Sequence, residues 1–129
     1  MKNLDLGILV ARLGLGICVL THGFSKIMNG IGGVKAILTK AGLPEFMAYF
    51  AYVGEVLAPL MIILGIFSRI GSVLLLGTCL TILYSFHGLA NLFELTNVGG
   101  FKAEIVYLYM TLALSILFTG SGKYALKAD

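Results

Sequence analysis

Long apolar segments constrain this chain more than any other feature. Four of them, at about residues 6–28, 45–67, 70–90 and 103–120, approach the roughly 20 helical residues that cross a hydrocarbon core of about 30 Å. Hydrophobic residues make up 59% of the chain and charged residues 12%, a composition far from that of soluble domains. Because a spanning segment must satisfy its own backbone polar groups, we predict an all-α polytopic membrane protein. The expected architecture is an antiparallel bundle of four transmembrane helices, forming a single domain over residues 1–129.

The first apolar segment differs from a cleaved secretory signal. Arg12 interrupts its apolar stretch, and no small-residue cleavage site follows. We therefore expect this segment to be the first transmembrane helix.

The connection between the first two predicted spans is amphipathic. Val34, Ile37 and Leu38 recur at helical spacing, whereas Lys35 and Lys40 take the other side. This pattern predicts a short helix lying in the membrane interface, with a disordered loop as the alternative.

The basic residues leave the orientation of the bundle open. Four spans place Lys2, Arg69, Lys123 and Lys127 on the side of the termini and Lys26, Lys35, Lys40 and Lys102 on the other, so the positive-inside rule does not discriminate. We expect cytoplasmic termini in the cytoplasmic membrane, since Lys26 and Lys102 lie close enough to the spans to be inside the protein. The formal charge of +3 comes from scattered lysines, which argues against a nucleic-acid surface.

The first span carries one polar stripe. Arg12 and Lys26 are two heptads apart and so share a face, and His22 precedes Lys26 by one helical turn. A charge at the centre of a membrane helix costs about 2.5–3.5 kcal/mol even on the lenient insertion scale, so such residues normally face the bundle interior. The stripe is expected to point inward.

Glu55 lies near the middle of the second span. Pro59, four residues later, has no N–H to donate to the carbonyl of Glu55, which predicts a kink and a free carbonyl. The carboxylate and this carbonyl could bind a ligand hydroxyl or a proton. Alternatively, Arg12 and Glu55 neutralise each other as a buried pair.

Most histidines, tyrosines and carboxylates fall in the half of the bundle opposite the termini. A lipophilic ring such as a quinone would need an apolar slot, a donor to its carbonyl and a titratable group. The candidate catalytic residues are Glu55, His22 and His87. The candidate ligand-binding residues are Arg12, Lys26, Tyr49, Tyr52, Tyr84, Glu104 and Tyr107. Tyrosines at this depth could instead form an interfacial belt.

Metal and thiol chemistry receive little support from the sequence. The histidines and glutamates lie on different helices without a local ligand motif, so we predict no metal site. Cys18 and Cys79 form no C-x-x-C pair and are expected to be inert buried thiols.

The order of these features resembles the DoxX family of small four-helix membrane proteins. The resemblance rests on Arg12, Gly16, HGFSK at 22–26, GLP at 42–44, GEVLAPLMIILGIFSR at 54–69, His87, Glu104 and GSGKYAL near the end. It identifies the family-like polar positions as Arg12, His22, Lys26, Glu55, Arg69, His87 and Glu104. The closing stretch departs from the family pattern, with Ala125 where serine is usual and Lys127 where aspartate is usual.

The resemblance implies quinone chemistry. The family takes its name from a subunit of a thiosulfate:quinone oxidoreductase, and other members are linked to oxidative, thiol or quinone stress. We therefore expect a quinone-linked redox protein, or a subunit with a soluble redox partner, that has no covalently bound cofactor. Two alternatives stay open: a non-catalytic anchor or assembly partner for soluble redox or stress-response enzymes, and a small-solute transporter. The sequence is compatible with a monomer or a homo-oligomer.

Overall fold

The computed structural model of the protein describes residues 3–87, 93–101 and 103–129, except for the side chains of residues 86 and 87. The described chain forms helices α1 (Leu4–Asn29), α2 (Gly32–Lys40), α3 (Glu45–Leu64), α4 (α-helical over Ser68–Ile82) and α5 (Glu104–Thr119), with no β-strand. The all-α prediction is therefore confirmed.

Three of these helices are long and apolar enough to cross a membrane. They are α1, α3 and α4, the last counted over Ser68–Ser85, whereas α5 is apolar but has only 16 residues. The predicted first, second and third spans thus correspond to helices of sufficient length. A fourth span and the antiparallel arrangement remain predictions.

The helix ends follow local capping chemistry. The Asn3 side chain accepts a hydrogen bond from the Leu6 N–H at 3.0 Å and begins α1. Gly65 takes a left-handed conformation (φ 72°), which ends α3 at Leu64, three residues before the predicted end. The boundary between the predicted second and third spans is displaced by a few residues, because Ser68 already begins α4.

Small residues bring α1 against α3. A methyl group on Gly16 would collide with Ile63, and one on Gly23 would collide with the backbone carbonyl of Glu55. Helices approach this closely only where side chains are absent. Gly7 and Gly14, by contrast, face open space.

The interior packs α1, α3, α4 and α5 together. Its buried residues are Leu15, Val19, Ala58, Ile62, Leu75, Cys79, Ala113 and Ile116. A second cluster joins α2 to the start of α3 through Ile31, Leu38 and Ala48. The predicted short helix therefore exists, and Leu38 on its apolar face packs against the protein.

Two helices change their winding. Within α3, residues Val53–Leu57 form a π-helix that contains Glu55, and α4 continues as a π-helix over Leu83–His87. The π-helix of α3 lies in the turn before Pro59, and the kink expected at the proline stays a prediction. The Glu55 carbonyl lies against Gly23 in the interface between α1 and α3.

Candidate functional site

A cavity of about 600 Å³ lies among the five helices. Its wall is mostly apolar and takes residues from every helix, including Val19, Leu38, Phe50, Leu75 and Val106. This volume falls within the range of roughly 300–1,000 Å³ that is usual for small-molecule sites. The cavity can therefore hold a ring-sized apolar ligand.

Lys26 and Glu55 form an ion pair in the wall of this cavity. Lys26 Nζ lies 2.5 Å from Glu55 Oε2, and the two side chains retain 21% and 7% of their accessible surface. The register explains the pairing: Gly23 seats α1 on the carbonyl of Glu55, and Lys26 follows one turn later. The site therefore contains one charge of each sign and little net charge.

The Glu55 carboxylate has unused hydrogen-bonding capacity. Its Oε2 is buried, and Lys26 is its ion-pair partner among the described residues. A carboxylate offers about four acceptor positions, so the contact with Lys26 leaves others free. A buried carboxylate of this kind can accept a hydrogen bond or a proton from a ligand.

His22 lines the same cavity next to Tyr109. The two rings meet edge to face, with centroids 6.2 Å apart and planes at 77°. This geometry is a favourable aromatic contact, and it orients the imidazole. Tyr109 on α5 had not been predicted as a site residue, although Glu104 and Tyr107 on the same helix had been.

Arg12 lies outside the cavity wall and has a different role. Its guanidinium donates hydrogen bonds to the carbonyls of Ile62 (2.9 Å), Ile63 (3.0 Å), Ser121 (2.9 Å) and Tyr124 (2.6 Å). The side chain is 1% exposed. Arg12 therefore joins the end of α3 to the C-terminal segment, and the alternative of an Arg12–Glu55 pair is wrong. Arg12 shares a helix face with Lys26, but fourteen residues of helix separate them by about 21 Å.

The C-terminal segment is held by several further contacts. The backbone N–H groups of Leu126 and Lys127 donate to the carbonyls of Leu64 and Gly65, at 3.1 and 3.0 Å. The Asp129 carboxylate accepts a hydrogen bond from the Arg69 N–H at 3.1 Å, at the start of α4. The C-terminal segment is therefore packed against the ends of α3 and α4, even though Ala125 and Lys127 depart from the family pattern.

The other predicted tyrosines lie outside the cavity wall. Tyr49 is exposed and accepts a hydrogen bond from Lys35 at 3.2 Å, which raises the pKa of Lys35 in α2. Tyr84 donates to the carbonyl of Ala41 at 3.5 Å, a long contact. Tyr52 packs against the cluster that joins α2 to α3.

The remaining predicted residues also fall elsewhere or outside the description. Glu104 is exposed at the start of α5, and Tyr107 meets the ring of Phe101 edge to face, with centroids 5.9 Å apart. His87 ends the π-helical part of α4, but its side chain lies outside the described residues. Of the candidates, the structure thus brings together His22, Lys26 and Glu55.

Polar residues of α4 line the cavity without having been predicted. They are Thr78, Cys79, Thr81 and Ser85. The sequence carried one signal for them, since Thr78 and Ser85 are one heptad apart and share a helix face. Among the described residues, no group of three or more histidine, cysteine or acidic side chains is arranged to hold a metal ion.

Comparison with known proteins gives consistent matches. The family model described as DoxX matches residues 7–88. The chain is 30% identical over 129 residues to "Putative oxidoreductase CatD" of Bacillus subtilis (strain 168), covering 97% of this chain and 87% of that protein. It is 32% identical over 127 residues to "Inner membrane protein YqjF" of Escherichia coli (strain K12), covering 98% and 94%. No solved structure matches significantly.

Proposed function

Because the chain belongs to the DoxX family of membrane proteins, we propose that it is a quinone-linked redox protein, or a subunit of one. In this proposal, a lipophilic ring binds in the cavity that contains Lys26 and Glu55. The name of the Bacillus subtilis relative supports a redox role.

The observation that carries this proposal is a buried carboxylate with a free acceptor position inside an apolar cavity. Interconversion of a quinone and a hydroquinone moves two electrons and two protons. Glu55 would accept or return a proton at one ring oxygen, and the Lys26 ammonium would stabilise negative charge on that oxygen. His22 would orient the ring and supply a second titratable group. The electrons would pass to or from a separate redox partner subunit.

We further propose that α5 is the fourth span and that the termini are cytoplasmic. The 16 residues of α5 extend over about 24 Å, short of a full hydrocarbon core of about 30 Å. A modest local thinning of the bilayer would accommodate this difference.

Binding of a quinone analogue to the purified protein tests the proposal. Decylubiquinone would be titrated against wild-type protein in lipid nanodiscs, with binding followed by calorimetry. We expect Glu55→Gln to weaken binding by about tenfold or more, as loss of a buried charged partner costs about 1–3 kcal/mol. His22→Ala, which removes a ring from the cavity wall, should also weaken binding. Glu45→Gln is the matched control, because Glu45 is an exposed carboxylate on the same helix.

Two results would contradict the proposal. The first is folded wild-type protein that binds no analogue, and the second is Glu55→Gln protein that binds as tightly as Glu45→Gln protein. Recovery of a soluble enzyme by protein that binds no analogue would instead support an anchor or assembly role.

A further inference from the structure

Ser85 presents a second unused polar group to the same cavity. Its Oγ is buried, and no described group forms a hydrogen bond with it. Serine and threonine hydroxyls in helices commonly bond to the carbonyl four residues earlier. Thr78 and Thr81 do so on this helix, each at 3.0 Å, whereas Ser85 does not. The Ser85 hydroxyl is thus left available inside the cavity.

Both unused groups lie in irregular turns of their helices. Ser85 lies in the π-helical part of α4, and Glu55 lies in the π-helical part of α3. Single π-turns shift side chains relative to the regular helix and occur frequently at functional sites. The two irregular turns therefore contribute one polar group each to one cavity.

Resting on the proposed function, we propose that Ser85 is a second polar anchor and that the site selects rings with two oxygen substituents. One ring oxygen would lie at Glu55 and Lys26, and the other would lie at Ser85. An unpartnered buried hydroxyl is unfavourable, so a ligand oxygen that pairs with it gains affinity over a hydrogen atom at the same place.

A hydroxyl suits a ring that changes its oxidation state. Serine can donate a hydrogen bond to a quinone carbonyl and can accept one from a hydroquinone hydroxyl. The anchor therefore holds both forms without itself gaining or losing a proton.

Matched ring compounds test this selection. Decylhydroquinone carries two hydroxyls, and ortho-decylphenol and meta-decylphenol each lack one of them. Their affinities would be measured anaerobically, under reducing conditions, in nanodiscs. We expect wild-type protein to prefer decylhydroquinone over the better phenol by about tenfold, which is the effect of one hydrogen bond to a buried group.

Variants assign the preference to Ser85. Ser85→Ala is expected to bring the ratio of affinities close to one while phenol binding persists, and Ser85→Thr, which keeps a hydroxyl, should retain most of the preference. Ser72→Ala is the control, because Ser72 is also a buried serine of α4 whose hydroxyl has no partner among the described residues, but it does not line the cavity.

The outcomes separate this inference from the function on which it rests. If wild-type protein binds hydroquinone and phenol equally, or if Ser85→Ala keeps the preference, the Ser85 anchor is overturned and ring binding stands. If wild-type protein binds none of the ring compounds, both proposals fail. A wild-type ratio near one overturns the Ser85 anchor even if a variant does not fold.

Discussion

Replacing Lys26 with methionine would leave the Glu55 carboxylate buried without its counter-charge. Methionine keeps the length and apolar volume of the lysine stem and removes only the ammonium. The substitution therefore isolates the electrostatic role of the pair that lies 2.5 Å apart in the cavity wall.

The exposure of the two side chains sets the expected magnitude. Removing one partner of a buried ion pair costs about 3–5 kcal/mol, because the surviving charge stays desolvated. Glu55 retains only 7% of its side-chain surface, so Lys26→Met should cost about 3 kcal/mol. Lys26 retains 21% and has a flexible stem, so the cost of Glu55→Gln should be smaller, about 1–2 kcal/mol.

The assay is the free energy of unfolding in mixed micelles, obtained from an SDS titration followed by circular dichroism. The double variant Lys26→Met/Glu55→Gln contains neither charge, and its stability should lie within about 1 kcal/mol of the wild type. Lys40→Met, which removes an exposed lysine of α2, should change stability by less than about 0.5 kcal/mol.

Additive losses of stability in the single and double variants would refute this reasoning. If the double variant loses the sum of the two single losses, the charges are not coupled. A larger loss for Glu55→Gln than for Lys26→Met would show that the lysine, and not the carboxylate, is the more desolvated member.

Two further substitutions test the packing that positions the site. Arg12→Met leaves carbonyls at the end of α3 and in the C-terminal segment without their donor, and should cost about 3–5 kcal/mol in the same titration. The exposed Arg69→Met should cost less than about 1 kcal/mol, and equal losses would rule out a special role for Arg12. Gly23→Leu inserts a side chain where α1 meets the Glu55 carbonyl and should cost about 3 kcal/mol or more, whereas Gly14→Leu, at a glycine facing open space, should be tolerated within about 1 kcal/mol. Equal tolerance of both leucines would contradict the close approach of α1 and α3.

Part of the candidate site was accessible from the sequence. His22 and Lys26 share a helix face, and a charged face in an apolar helix points inward because lipid does not solvate it. Glu55 was singled out for the same reason. The candidate tyrosines could not be assigned from the sequence, because a tyrosine near a helix end is as favourable at the membrane interface as in a pocket.

Ser85 and Tyr109 were missed for a different reason. A serine in an apolar helix ordinarily satisfies its hydroxyl on its own backbone, so it gives no sign of facing a ligand. In the structure, Ser85 lies in the π-turn at Leu83–His87, and its hydroxyl has no hydrogen-bond partner among the described residues. Tyr109 became part of the site through its contact with His22 on another helix.

The sequence by itself determined the all-α class and the approximate extent of the helices. Those properties depend on local quantities, namely apolar length, capping residues and left-handed glycines. The partner of Glu55 depended on the tertiary structure, because Arg12 and Lys26 are both cations on one face of α1. Their separation along the helix is about 21 Å, and the register between α1 and α3 decides which one reaches the carboxylate. Gly23 fixes that register by lying against the Glu55 carbonyl, which places Lys26 in the cavity and leaves Arg12 to bind the end of α3.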